Sequence, residues 1–272
     1  MGKYFANDYC ELYHGDCLET MAGFSDSSFD LVFTSPPYNN SRSANKIESR
    51  RKHQSRYDVY IDSMPTDKYV EWTVSLFCEF DRLLCDNRIV LYNFCWGTDY
   101  QNIGKNELDV WVKTLNGVVT KTPFHLTDIF CWKKACALPN NVSSNGATRI
   151  WEPIMVFCRK DECNTYYSNK KISGKSARGQ NFYKSFFNFI EAINNDGSCD
   201  LNKATYSSDM CYKLLEIYCP RNGIVFDPFN GTGTTGVACK KFGSKYVGVE
   251  LSEEQLKYSK DRISAPVQLN IL

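Results

Sequence analysis

The stretch Phe226-Asp227-Pro228-Phe229-Asn230-Gly231-Thr232-Gly233-Thr234-Thr235 restricts the fold more than any other part of the chain. An apolar run, Gly223-Ile224-Val225-Phe226, leads into it and reads as a buried parallel strand. Thr234–Lys241 reads as a helix, and Gly243 is placed to end it. Strand, glycine turn and helix in that order aim backbone N–H groups at a ligand. Gly231 and Gly233 let the main chain bend and approach it closely. The next strand, Lys245-Tyr246-Val247-Gly248-Val249-Glu250, ends in a carboxylate. A βαβ nucleotide site uses that position to hold a ribose diol. No Gly-Lys-Ser/Thr follows the glycines, which argues against a P-loop. Taken alone, the same glycines also fit an ordinary tight turn in an α/β protein.

The chain of 272 residues suits one large domain, with or without a small appendage. Its net charge of +1 supplies no global field, so a polyanion site must be a local patch. Thirteen cysteines contain no Cys-x-x-Cys, and His14, His53 and His125 are scattered, so no metal site is expected. Cys78, Cys95, Cys131 and Cys158 lie in apolar runs, which predicts reduced, buried thiols in a cytoplasmic compartment. Met1–Asn7 has no apolar core and no run is long enough to span a bilayer, so neither a signal peptide nor a membrane partner is expected.

A second motif lies far upstream. Phe29–Phe33 reads as a buried strand that runs into Thr34-Ser35-Pro36-Pro37-Tyr38. The prolines end the strand and offer no N–H. A hydroxyl, a rigid carbonyl and an aromatic ring at a strand tip suit a flat ligand carrying an amino group; a loop with a buried tyrosine is the plainer reading. Tyr9–Tyr13 is a short run ahead of Gly15-Asp16, where Asp16 is either a helix N-cap or a ligand contact. Asn39–Arg56 carries Arg42, Lys46, Arg50, Arg51, Lys52 and Arg56, a set that fits a phosphate backbone or a solvated charge run.

Thr66–Leu84 repeats Tyr69, Trp72, Leu76, Phe80 and Leu83 at helical spacing, a core-packing stripe. Arg88–Phe94, Asp128–Lys134 and Glu152–Lys160 read as strands, with Ala135–Arg149 as a long hairpin connection at one sheet edge. In Asp161–Ser207, Lys170, Lys171, Lys175, Arg178 and Lys184 interleave with aromatics. That pattern suits nucleic acid, or a modest insertion with its own aromatic cluster. Ser208–Tyr218 reads as a helix, and Ser252-Glu253-Glu254-Gln255 as a capping box for a last helix through Ile263. The alternation predicts an α/β, doubly wound, mostly parallel sheet of about seven strands.

The two motifs together resemble the β-group of amino-methylating DNA methyltransferases, those acting on cytosine N4 or adenine N6. Asp227–Thr235 is similar to that family's S-adenosyl-L-methionine (AdoMet) motif, and Ser35-Pro36-Pro37-Tyr38 to its catalytic tetrad, in the β-group order. Gly15-Asp16-Cys17 resembles the adenine-contacting turn, Trp151–Phe157 a late sheet strand, and Asn202–Tyr218 the helix before the AdoMet strand. The resemblance implies a seven-stranded Rossmann-like fold, AdoMet as cofactor, and double-stranded DNA with a flipped base as substrate. Catalytic roles fall to Ser35, Pro36, Pro37 and Tyr38. Cofactor contacts fall to Asp16, Cys17, Thr34, Asp227, Pro228, Phe229, Asn230, Gly231, Thr232, Gly233, Thr234, Thr235, Glu250 and Leu251. In this family a serine at the tetrad's first position is usual for cytosine N4 and an aspartate for adenine N6. Residues 1–160 would form the catalytic half, 161–207 a target-recognition insertion and 208–272 the AdoMet half. A cognate restriction endonuclease and a monomeric or homodimeric state complete the expectation; an adenine-N6 enzyme and an inactive DNA-binding homologue are the alternatives.

Overall fold

The structure, a computed structural model, describes residues 2–39, 64–94, 107–137, 147–194, 196–202 and 205–266. The chain opens with β1 (Gly2–Ala6), β2 (Cys10–His14), α1 (Cys17–Met21), β3 (Phe29–Thr34), α2 (Thr66–Leu83) and β4 (Leu84–Asn93). It continues with α3 (Glu107–Lys121), β5 (Phe124–Lys134), β6 (Trp151–Arg159), β7 (Ile172–Lys175), β8 (Asn181–Tyr183) and β9 (Phe189–Ala192). It closes with α4 (Ser208–Tyr218), β10 (Ile224–Asp227), α5 (Thr234–Phe242), β11 (Lys245–Glu250) and α6 (Glu253–Ser264).

One sheet has the order β1-β2-β11-β10-β3-β4-β6-β5-β9, and β7 and β8 pair separately. The run from β2 to β4 is parallel throughout. β6 is antiparallel to both β4 and β5, and β9 returns parallel to β5. The expected set of strands is present, and β1 and β9 extend it at its two edges. Because β9 pairs beside β5, the β5–β6 hairpin is not the sheet's edge.

The sheet is covered on both faces, as the unbroken apolar strands require. Leu31, Phe33, Ile89 and Leu91 face one core with Leu214 and Leu215 of α4, Phe242 of α5 and Leu256 of α6. Val32, Val90 and Tyr92 face the other, with Leu76, Phe77 and Phe80 of α2 and Val118 of α3. The alternation along each strand sends successive side chains to opposite helical layers. α6 starts as its capping box predicts, with Ser252 accepting from the Gln255 N–H at 3.2 Å. α2 instead begins after Pro65 with no side-chain cap.

The cysteine expectation needs correction at two positions. Cys158 is buried, but Cys78 is exposed and Cys131 only half-buried. Cys78 lies off the stripe that α2 buries, and Cys131 faces away from the side that takes Phe130 and Trp132. Cys95 lies outside the described residues. Burial pushes the Cys10 and Cys219 thiols up to about 12. Among the described residues no cluster of His, Cys, Asp and Glu could hold a metal ion, and no helix is long and apolar enough to cross a membrane.

Candidate active site

β10 connects through α5 to β11 on one side, while β3 connects through α2 to β4 on the other. The adjacent strands β10 and β3 are therefore a switch point, where the two chain directions part and leave a crevice beyond the strand C-termini. The crevice is lined by Ser35, Pro37 and Tyr38 from one motif and by Phe229, Asn230 and Gly231 from the other. Pro228, Thr232 and Thr234 also line it, as do Asp16, Cys17, Glu250 and Leu251.

Asp227 fastens the two motifs together. Its carboxylate is fully buried and accepts from the Thr34 hydroxyl at 2.7 Å and from the Phe229 N–H at 3.0 Å. Its other oxygen accepts from the Thr235 hydroxyl at 2.8 Å and the Tyr206 hydroxyl at 3.3 Å. Thr34 directly precedes Ser35, so one side chain ties the tetrad to the glycine turn and the start of α5. Burial raises the Asp227 pKa, and the four hydrogen bonds oppose that shift. Thr34, Asp227, Gly233 and Thr235 thus sit behind the crevice wall and not on it.

The glycines act as expected of their backbone. Gly231 has φ +51° and Gly233 φ +81°. A Cβ on Gly233 would lie 2.4 Å from the Ser259 hydroxyl oxygen. Glu250 stands at the β11 tip, where one carboxylate oxygen accepts from the Gly231 N–H at 2.7 Å and the other from the N–H groups of Leu251 and Ser252, both at 3.0 Å. Of the two sequence readings of Asp16, the helix cap is the one the structure displays. One oxygen caps α1 through the Leu18 and Glu19 N–H groups at 2.8 and 3.1 Å, and the residue still lines the crevice.

On the tetrad side, the Ser35 and Tyr38 hydroxyls lie 2.9 Å apart. Asn93, at the β4 tip, donates from Nδ2 to Tyr38 at 2.6 Å and approaches Ser35 Oγ at 3.3 Å. The Tyr69 hydroxyl donates to the Pro37 carbonyl at 2.6 Å and so fixes the turn. Pro36 is buried and does not line the crevice. The Tyr38 ring rests 5.3 Å from Phe94, and Trp72 of α2 meets Phe229 at 5.6 Å across the crevice wall.

Sequence reasoning missed Asn93, Trp72 and the wall formed by Asn202, Thr205 and Tyr206. The available signal was place in the chain: Asn93 ends a parallel strand, and the other three precede the Ser207 cap of α4. Trp72 was read only as core. Thr205 is buried in the crevice wall, and its hydroxyl has no hydrogen-bond partner among the described residues. An orphan hydroxyl there fits a ligand with polar groups.

Of the basic residues singled out above, Arg42, Lys46, Arg50, Arg51, Lys52 and Arg56 lie outside the described residues. Lys170, Lys171, Lys175 and Arg178 are exposed on and around the β7–β8 hairpin. The structure does not bring them to the crevice. The hairpin's base is tied by the Tyr167 N–H to Asn87 and by Asn169 to Ile217 and Cys219. Those anchors adjoin the starts of β4 and β10, the end of the sheet opposite the crevice.

Such a switch-point crevice is where open α/β sheets bind their ligands. A family model described as DNA methylase, of the N6/N4 methyltransferase type, matches residues 29–261. The chain belongs to that DNA methylase family, and its cofactor is AdoMet. It is similar to the type II methyltransferase M.HinfI of Haemophilus influenzae, at 25% identity over 276 residues, 97% of this chain and 71% of that one. Its fold is similar to that of the PvuII cytosine-N4-specific DNA methyltransferase, with TM-score 0.72 at 18% identity over 98% of this chain and 90% of that one. It is also similar to a putative DNA modification methylase of Thermus thermophilus complexed with AdoMet, with TM-score 0.63 at 19% identity over 93% and 92%.

Proposed function

We propose that this methylase transfers a methyl group to the exocyclic amine of a base flipped out of double-stranded DNA, and that the amine is cytosine N4. One observation carries the reading: Ser35 and Tyr38 share a crevice with Gly231 and Glu250. The serine at the tetrad's first position favours cytosine, and the fold shared with a cytosine-N4-specific enzyme is consistent with it.

Bound AdoMet would supply an electrophilic methyl on a sulfonium. The residues present suit it. Glu250 would hold the ribose hydroxyls, Asp16 the adenine amine, and the Phe229–Gly233 backbone with Thr205 the methionine end. Asp227 acts indirectly by holding that backbone. The target amine is a weak nucleophile because its lone pair is conjugated into the ring. Ser35 Oγ, which lines the crevice, accepts an amine hydrogen and so favours a pyramidal nitrogen. Tyr38 stacks on the flipped base, at about 1–3 kcal/mol per stacked base, and so offsets the unstacking cost. Alignment supplies much of the remaining rate. Serine is no general base at neutral pH and holds no such role here.

Target recognition falls to residues 161–207 and to the β5–β6 connection, for a short specific site. From residue 168 to 187 there are five lysines and arginines and no carboxylate, which suits a phosphate backbone. Given its anchoring, the hairpin touches the duplex away from the flipped base. A cognate endonuclease and an intracellular location accompany this reading.

The test is direct. The protein is incubated with mixed-sequence duplex DNA and methyl-labelled AdoMet, and the nucleosides are separated by mass spectrometry. N4-methylcytosine is the expected product. N6-methyladenine supports the adenine reading instead, and no methylated amine overturns both.

A further inference from the structure

Behind the tetrad lies a polar chain that the methyl-transfer reading does not use. Asn93 is fully buried at the β4 tip, and its Nδ2 faces Tyr38 at 2.6 Å, Ser35 at 3.3 Å and a Glu152 carboxylate oxygen at 3.4 Å. Glu152 lies near the start of β6, with its side chain 14% exposed, and its other oxygen pairs with Lys134 at the end of β5. The Lys134 ammonium also sits 5.4 Å over the Trp132 ring.

The amide's orientation is the informative point. Two hydroxyls lie within reach of Nδ2, whereas Oδ1 is buried with no partner among the described residues. Turning the amide over would give its oxygen two hydroxyl donors, which is ordinarily preferred. It would also set that oxygen against the Glu152 carboxylate, acceptor facing acceptor. Glu152 therefore decides which way Asn93 points, and Lys134 holds Glu152 in place. With Nδ2 forward, Asn93 donates to the Tyr38 oxygen, and the Tyr38 and Ser35 hydroxyls face each other at 2.9 Å, an arrangement in which Tyr38 can donate to Ser35 Oγ. Ser35 then has its own hydroxyl hydrogen to give and one lone pair to accept with. Cytosine and adenine both carry a ring nitrogen acceptor beside the amine.

We propose that Glu152, backed by Lys134, sets the direction of the hydrogen bonds through Asn93 and Tyr38, so that Ser35 offers its hydroxyl hydrogen to the ring nitrogen beside the target amine. Glu152, Asn93 and Lys134 are thus positioning residues. They fix the tetrad's polarity without touching the cofactor or the transferred methyl. The inference rests on the amine-methylation reading above and adds to it how the base edge is matched.

The experiment is a double-substitution cycle on the full chain, with kcat from methyl transfer to duplex DNA and the AdoMet Kd from calorimetry. Glu152→Gln lets the Asn93 amide turn, and kcat is expected to fall about tenfold while the AdoMet Kd and the melting temperature stay within about twofold and a few degrees of the parent. In a Tyr38→Phe background, where the chain is already cut but the ring still stacks, Glu152→Gln is expected to change kcat by less than about twofold. A tenfold fall in both backgrounds, or a loss of AdoMet affinity in step with kcat, overturns the inference, since Glu152 would then act on the fold at large. If the unsubstituted chain transfers no methyl group, the proposed function itself is overturned, and this inference with it.

Discussion

Replacing Asp227 tests how the tetrad and the glycine turn are held together. In Asp227→Ala, the Thr34 hydroxyl and the Phe229 N–H lose their acceptor in a buried setting. The Tyr206 and Thr235 hydroxyls can still bond to each other. That bond uses one of their two hydrogens, so three stranded donors at about 1–3 kcal/mol each give a loss of roughly 3–9 kcal/mol. Asp227→Asn keeps an oxygen for Thr34 and Phe229, and its amide can donate to a turned Thr235 hydroxyl, so the cost is about 1 kcal/mol. Urea unfolding followed by tryptophan fluorescence measures both. The pH dependence adds a sign. Burial lifts the native Asp227 pKa above the ordinary 3.8. Between those two values the native state holds a proton that the unfolded chain has released. Wild-type stability therefore falls as pH rises through that window, relative to the Asn variant, and the difference is constant below it. An Ala variant within about 1 kcal/mol of wild type, or an Asn variant that unfolds as easily as Ala, refutes the fastening role.

Three further outcomes follow from the crevice. Glu250→Ala weakens AdoMet binding by about 10- to 100-fold in calorimetry, through the loss of charge-assisted hydrogen bonds to the ribose and of support for the Gly231 N–H. Tyr38→Ala lowers kcat while leaving the AdoMet Kd within about twofold; an equal loss of both contradicts the division of labour. Gly233→Ala costs about 1–3 kcal/mol in urea unfolding, because alanine is strained at φ +81° and its methyl meets Ser259.

Much of this fold is legible where the signal is local. The β10–turn–α5–β11 unit follows from an apolar run, two glycines, a helix stop and a terminal carboxylate. α4 follows from Met210, Leu214 and Ile217 at helical spacing, and α6 from the side chain that caps it, Ser252. What stays hidden depends on distant partners. β1 is a mostly exposed five-residue strand that exists because β2 lies beside it. β9 buries only alternate residues, Ile190 and Ala192, and is fixed by β5. α3, with Val110 and Val118 spaced along its buried side, drew no reading because a polar stretch precedes it. In the site, Ser35, Tyr38, Gly231 and Glu250 are legible as motif members. Asn93 and Thr205 are not, since a lone asparagine or threonine acquires meaning only from what stands opposite it.

The central claim is that methyl donor and flipped base meet where β3 and β10 part. A crystal structure of the protein with duplex DNA and a non-reactive AdoMet analogue tests it most directly. The account predicts the analogue along Glu250 and Gly231, the extruded base against the Tyr38 ring, and the target amine about 3–3.5 Å from the position of the transferred group. An analogue bound elsewhere on the sheet, or a base that approaches from a side not facing Tyr38, contradicts it.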